Sequence, residues 1–548
     1  MSDQSAVASN QQWMSVAQVL ALAEQNRQAN RLAEAVDLCQ QVLRAQPKHA
    51  EAMHLQGVIL HQGGDAKKGI ELLKQAIKLN DAIALFHCNL GEMCRLSGRV
   101  DEAIAAGRKA VSLQPIYPQG WNNLGIAYYD REEYGQAEEC YRRAVRQDPN
   151  FAEAHSNLGN ALRAQHRLDE ALPCYNRAIQ LRPNYVDAIA NMASVLHLNG
   201  QIDEAIATYR RVIALDPVHA NAHSGLGLLV LGKGDFDTGW FGYEWRLRSS
   251  ESHYKPLPGP LWEGDPLKGR RILIHTEQGF GDTLQFCRYL AMVRDRGGRI
   301  VMTVPPALGP LLAHSMPWLE IVTDVSRGLP PFDCHCPLLS LPQRFQTRVE
   351  TIPARVPFLQ ASPEAHARWL SRIGGESGFK VGLVWCGNPK QLNDINRSMP
   401  AAAMLPLLDI EGARFYSLQV GYQAGDLPKL SGGKVEDLAP HLTDYMETAG
   451  AIANLDLVIS VCTSVAHLAG AMASPLWVAL SWNPDWRWLE KREDCPWYPS
   501  ARLFRQKQRR VWESVIADIA GELRAVIGGD RLRLMPYSDT PLQLGGAV

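Results

Sequence analysis

The sequence carries almost no net charge: 56 Lys and Arg stand against 57 Asp and Glu, a formal charge of -1 over 548 residues. That balance removes any electrostatic case for a nucleic acid or an anionic membrane as partner. No apolar run approaches the roughly 18 residues of a membrane span. The opening MSDQSAVASNQQWMSVAQVL lacks a basic stretch leading into an apolar one, so no secretory leader is expected and the expected location is the cytoplasm. Paired-cysteine spacing is also missing. The eleven cysteines are odd in number and scattered, several within segments that read as helix or strand, which suits buried free thiols in a reducing compartment. No G-x-G-x-x-G occurs at the first glycine loop, which leaves little case for a dinucleotide there. The run Cys334, His335, Cys336 alternates along a predicted strand, so only the two cysteines share a face, and no metal site is expected.

What is present divides in two, and a chain of 548 residues calls for two to four domains. In the first part Pro47, Pro115, Pro149, Pro183 and Pro217 fall in phase at a period of 34 residues, with Asn80 and Asp81 where the missing proline would stand. Gly57, Gly91, Gly125, Gly159 and Gly227 share a second phase, and Ala35, Gly69, Ala103, Ala137, Ala171 and Ala205 a third. Small residues at fixed phase let two helices touch. Apolar residues between them follow three-and-four spacing, as in Ala154, Leu158, Ala161 and Leu162, so each unit reads as a helical hairpin.

The segment WNNLGIAYYDREEYGQAEECYRRAVRQDP from Trp121 resembles the tetratricopeptide repeat, and the resemblance covers residues 13–250. Six units are clear. A seventh is degenerate, its second helix DFDTGWFGYEWRLRS aromatic enough to cap the array and dock on the next domain. Such arrays form a superhelix whose groove recognises rather than catalyses. Asn89, Asn123, Asn157 and Asn191 share one phase on the first helices of four consecutive units. Two readings stand open: the carboxamides hydrogen-bond within the array, or they pair with the backbone of an extended acceptor peptide. A similar ladder is a feature of animal O-linked N-acetylglucosamine transferases, which also join these repeats to a sugar-transfer domain. An aromatic seam around Trp13 either pairs two chains or caps one.

After the connector KPLPGPLWEGDPLKG the period stops and short apolar runs alternate with helical patterns, the pattern of a parallel sheet. Strands are expected at RILIHT, RIVMTV, EIVTDV and FDCHCPL, then at KVGLVWCG, ARFYSLQV, DLVISV and PLWVALS. Two groups of four suggest two Rossmann-like domains, residues 251–372 and 373–548, facing a cleft, with ligands at the carboxyl ends of the strands. Gly279, Gly281 and Asp282 lie in the loop after the first strand. Thr463 and Ser464 stand where a helix begins after DLVISV, either as an ordinary cap or with free amides suited to a diphosphate.

The blocks EQGFGDTLQFCRYL, GLVWCGNPKQLNDINRSMP, SLQVG, DYMETAGAIANLDLVISVCTSVAHLAGAMASP and DWRWLEKREDCPWYPSARLFRQ resemble, in order over residues 268–525, the heptosyltransferase-like family, glycosyltransferase family nine. The resemblance implies a GT-B fold and an inverting, metal-independent transfer from a nucleotide-sugar, with no other cofactor. Chains joining such a domain to these repeats are similar to bacterial protein glycosyltransferases. It implies Asp282 as general base, the alternative being a helix cap. It implies Arg397 as partner of the leaving diphosphate, the alternative being a solvated loop residue. Gln419 would contact the nucleotide base. Asn388, Thr463, Ser464 and His467 would lie along the donor, Asp444 and Thr448 would shape its far wall, and His467 is equally a satisfied core residue. Where the family commonly shows Asp-Thr after the strand, this chain has Cys462-Thr463: either the donor differs or the fold is retained without activity. The expectation is a glycosyltransferase acting on a protein or peptide held in the repeat groove; the alternative is a silent scaffold.

Overall fold

The computed structural model describes residues 14–249, 254, 256–326, 328–375, 377–391 and 393–536. Trp13 and the expected limits at 13, 250, 251 and 548 lie outside them. Contacts divide the chain into two compact units, Met1–Val195 and Leu196–Val548, so the division falls inside the helix Val186–Leu198 rather than at the end of the repeats.

Helix pairs recur every 34 residues, from Val16–Gln28 with Leu32–Ala45 to Ala220–Gly232 with Phe236–Tyr243, seven hairpins among the described residues. The small positions lie where paired helices meet. A Cβ on Gly57 would stand 2.8 Å from the Gly69 carbonyl, and one on Gly69 would stand 2.6 Å from that of Gly57. Ala35, Ala137, Ala171 and Ala205 are fully buried. The expected last helix, Asp235–Ser249, is helical only over Phe236–Tyr243 and then tightens to a 3-10 turn, Glu244–Arg248. One cause is visible: Arg246 Nη1 donates to the Tyr243 carbonyl at 3.2 Å, taking an acceptor that a continuing helix would use.

Within Leu196–Val548 lie two parallel sheets. The first orders its strands β3-β2-β1-β4, with β1 Arg271–His275, β2 Arg299–Thr303, β3 Glu320–Val322 and β4 Cys334–Pro337. The second runs β10-β9-β8-β5-β6-β7, with β5 Phe379–Val384, β6 Ala413–Ser417, β7 Val435–Asp437, β8 Leu457–Val461, β9 Leu476–Leu480 and β10 Ala501–Arg505. Each expected strand is present, and two more join the second sheet. Its central strands β5, β8 and β9 are buried on both faces, as parallel sheets require, while the edge strand β7 buries only Val435. Leu457, Ile459 and Val461 face one apolar cluster with Trp477 and Ile516, while Val458 faces another with Leu476 and Val478. The helix Pro363–Ile373, straddling the expected limit at 372/373, sits against Tyr445–Ile452: Trp369 Nε1 donates to Glu447 at 2.9 Å.

The last hairpin is part of this unit's core. Phe236, Trp240 and Tyr243 join one continuous apolar cluster with Phe286, Trp486 and Trp497, and Trp240 Nε1 donates to the Thr347 carbonyl at 2.8 Å. Gly227 is the closest crossing within the hairpin. A Cβ there would lie 2.5 Å from the Tyr243 nitrogen and 2.7 Å from the Gly242 carbonyl carbon, backbone that cannot rotate aside. Gly227→Ala is therefore expected to destabilise the protein by about 1–3 kcal/mol, read as a lower urea midpoint. Gly135→Ala, on an open helix face, should leave stability unchanged or raise it by up to about 1 kcal/mol, read from the same midpoint.

Candidate functional site

Both sheets change direction at their centres: β1 lies between β2 and β4, and β5 between β6 and β8. Ligand crevices form outside the carboxyl ends of strands at such reversals. A cleft of about 760 Å³ opens there, built from the segments that come after β1, β2, β5, β6, β7, β8 and β9. All eleven residues expected at the catalytic and donor positions line it: Gly279, Gly281, Asp282, Asn388, Arg397, Gln419, Asp444, Thr448, Thr463, Ser464 and His467.

Their hydrogen bonds separate them. Gln419 is spent on backbone: its Oε1 accepts from Trp385 and Cys386 N–H at 3.2 and 3.1 Å and its Nε2 donates to the Tyr422 carbonyl at 3.3 Å. Asn388 closes a turn by accepting from Lys390 N–H at 3.0 Å. Asp444 caps the helix Tyr445–Ile452 through Glu447 N–H, 2.9 Å, and its carbonyl takes the Thr448 hydroxyl at 3.0 Å. These four therefore shape the walls. Thr463 stands at the N-cap position of the helix Ser464–Ala471 but makes no capping bond; its hydroxyl pairs with Ser460 at 3.0 Å. The first amides of that helix have no side-chain cap, and the Ser464 hydroxyl accepts from Tyr445 at 2.6 Å. Arg397 is not a solvated loop arginine. Its Nε donates to Asp394 at 2.8 Å and its guanidinium lies over Gly387, where a Cβ would stand 2.3 Å from Nη2.

Asp282 has both oxygens engaged. Oδ2 accepts from Gly279 N–H at 2.9 Å, bracing the loop at the start of helix Phe280–Phe286, and Oδ1 takes Arg487 Nη2. Arg487, with its side chain 8% exposed, also gives Nη1 to both oxygens of Asp485 at 2.9 and 3.0 Å. Burial drives the Asp282 carboxyl above its ordinary range; Arg487 opposes this and the charge of Asp485 adds to it. Burial acts on Asp485 too, but Arg487 outweighs it and holds that carboxyl below the usual range. Two carboxylates sharing one cation are thus pushed apart in affinity for a proton.

His467 is a satisfied core residue at the cleft wall. Nδ1 pairs with the Tyr498 hydroxyl at 2.9 Å and the ring stacks on Trp488. Gly281 lets the two loop-helix segments approach, since a Cβ would lie 2.8 Å from the His467 ring. Cys462, the departure from the resembled pattern, accepts the Trp488 indole N–H at 3.1 Å, and burial lifts its thiol to about 11. The loop before Asp282 is held from the last hairpin: Arg246 Nη2 donates to Glu277 at 2.7 Å and the Tyr243 hydroxyl to Gln278 at 3.3 Å. Arg487 and Asp485 were not singled out from the sequence; the signal available was two ions in the aromatic stretch DWRW. Cys334, His335 and Cys336 are buried in β4 as structure, and no cluster of three or more His, Cys, Asp or Glu placed to hold a metal occurs among the described residues.

The asparagine ladder forms within the first unit. Asn89 Nδ2 pairs with His54 at 2.8 Å, Asn123 Nδ2 with the Cys88 sulfur at 3.4 Å and Asn157 Nδ2 with Asn122 at 2.9 Å, each to the residue 35 positions earlier. The amides at 89, 123 and 157 thus bond from hairpin to hairpin; Asn191 occupies the same phase on Val186–Leu198.

Models described as tetratricopeptide repeat match residues 20–82, 64–120, 122–186 and 162–229. The N-terminal hairpins are tetratricopeptide repeats. Over 327 residues the chain is 29% identical to protein FlbA of Caulobacter vibrioides, covering 54% of each chain, so it spans about half the length of that curated relative. Solved structures give partial likenesses. MamA is 23% identical over 31% of this chain and 92% of its own, with a TM-score of 0.28. YrrB, described as a TPR protein with an unusual peptide-binding site, is 23% identical over 34% and 95%, with a TM-score of 0.29. Likenesses of that size add no weight to the repeat assignment. Among the described residues no helix is long and apolar enough to cross a membrane.

Desolvated imidazoles, among them His54, His197, His275 and His467, set an acid limit. Burial, with Arg487 adding to it, holds His467 down to about 3, and burial beside His335 holds His275 down to about 4. An unfolded imidazole titrates near 6.5, so between that pH and the folded values the unfolded chain binds more protons. Stability is therefore complete above about pH 6.5 and is lost as pH falls, by roughly 2 kcal/mol per ring at pH 5. Melting temperatures at pH 7 and pH 5 should show the fall, and His467→Gln should shrink it.

Proposed function

We propose that the α/β half is an inverting, metal-independent glycosyltransferase of the GT-B kind, which moves a sugar from a nucleotide-sugar to a protein or peptide recruited by the repeat array. The observation that carries this reading is the convergence of eleven residues, expected from strand-to-helix patterns and the family resemblance, on one cleft at the carboxyl ends of two parallel sheets. Asp282 takes the proton of the acceptor hydroxyl, its affinity for it raised by burial. The hydroxyl oxygen attacks the anomeric carbon in line as the bond to the diphosphate breaks, which inverts that carbon. Arg397 and the amides at the start of Ser464–Ala471 receive the departing charge. All eleven cysteines are free thiols, in keeping with a reducing compartment, and the reading places the protein in the cytoplasm.

A second reading, a repeat scaffold with a silent α/β half, has its own support: both Asp282 oxygens are already bonded, and Cys462 lines the cleft with a thiol that accepts from an indole where the resembled family has a carboxylate. Melting the full chain with UDP, GDP, CDP, CMP and ADP and their sugar conjugates separates the two. The transferase reading expects one nucleotide family to raise the melting temperature. It also expects Asp282→Asn to keep that shift while lowering sugar transfer to a co-purified or supplied acceptor by about 10²–10⁴-fold. No shift with any nucleotide at millimolar concentration would leave the scaffold.

A further inference from the structure

Arg487 lies at the centre of the cleft's charge and takes no part in the sugar transfer proposed for Asp282 and Arg397. Its bonds are unequal. Asp485, two positions away, holds Nη1 with both oxygens and also accepts the Arg487 backbone N–H at 3.0 Å. Asp282 reaches it from the other sheet's loop, 205 positions away, and takes only Nη2. Its second oxygen accepts from Gly279 N–H instead. The Nε–H, on the same side-on edge as Nη2, is buried without a partner. The rings of Trp486 and Phe286 flank the guanidinium, with its carbon 4.6 and 5.5 Å from their centroids, and leave its Nε–H unbonded.

A guanidinium with one anchored corner, one single-point contact and one unused donor matches an anion that offers two oxygens at once. We propose that Arg487 is a displaceable latch on Asp282: in this structure it ties Asp282 to Asp485, and a diphosphate in the cleft takes the Nε and Nη2 edge and frees Asp282 to bind a proton. The proposal rests on the nucleotide-diphosphate reading of the same cleft and adds to it the order of events, in which the base is exposed only when the donor's phosphates are seated.

The groups facing Asp282 fix the sign of the linkage. They are Arg487 and Asp485 from the segment after β9 and Tyr243 from the last hairpin; beyond them, Glu277 acts on Tyr243, and His467 of Ser464–Ala471 feels the same Arg487 and Asp485 together with Arg397 and Arg288. Arg487 is the one cation among Asp282's own neighbours that opposes burial there. Drawing it toward an anion, while adding that anion's charge, raises the proton affinity of Asp282, so anion binding is accompanied by proton uptake.

The experiment is calorimetric titration of the full chain with inorganic pyrophosphate near pH 6, in two buffers of different ionisation enthalpy, for the wild type and for Asp282→Asn. The difference between the two proteins cancels protonation changes of pyrophosphate itself. The latch requires the wild type to take up more protons than the variant, by up to about one per site, while the variant binds with equal or better affinity. It also requires Arg487→Lys, which keeps the charge and loses the fork, to bind pyrophosphate about tenfold more weakly or worse. Equal proton counts in wild type and Asp282→Asn, an undiminished affinity in Arg487→Lys, or no pyrophosphate binding at all overturns the latch. The transferase reading fails separately: proton-linked pyrophosphate binding with no stabilisation by any nucleotide or nucleotide-sugar leaves a working latch on an anion site that serves no sugar donor.

Discussion

The α/β half is organised around one buried guanidinium. Arg487 joins the loop after β1 to the segment after β9, and with it the first sheet to the second, across a distance in sequence that no local structure could bridge. Removing a charge from water is expensive, and the expense is offset only if its partners stay in place. Asp485, Asp282 and the rings of Trp486 and Phe286 meet that requirement together, which fixes both lips of the cleft relative to each other. Gly281 and His467 complete the same junction by contact rather than charge.

The last hairpin extends this logic backwards along the chain. Its aromatic face is continuous with the core under Arg487, through Trp240 and Trp486, and its Arg246 and Tyr243 bond the two residues Glu277 and Gln278 ahead of the Asp282 loop. A helical pair built on the repeat pattern has therefore become a structural element of the α/β unit, and the compact unit that holds it begins at Leu196, inside the array. Sequence periodicity reports local geometry and is silent on which side of a boundary an element packs.

Much of this architecture is legible in the sequence, for reasons that can be named. The repeats declare themselves because backbone contact forces small residues to recur at fixed phase, as Gly57 against Gly69. The site is legible where apolar strands stop abruptly at glycine or threonine, so that Gly279, Asp282 and Thr463 can be placed just after strand ends, whereas Arg397 follows only from the family resemblance. Two strands escape the pattern. Val435–Asp437 is three residues long with one buried, and Ala501–Arg505 is bounded by arginines, of which Arg502 is buried on Glu522 rather than exposed. The pairing of Asp282 with Arg487 escapes it because nothing local encodes it. The roles of Gln419 and Asn388 depend on which way an amide turns, a matter of backbone partners that residue type does not report.

The asparagine ladder has one more implication. Its amides at 89, 123 and 157 reach back 35 positions, a full repeat and one residue. Duplicating or deleting a whole hairpin restores each bond with a new partner of the same phase, whereas an insertion of any other length strands a carboxamide opposite the wrong turn. The array can lengthen or shorten over evolutionary time only in whole repeats, and its reach is quantised accordingly.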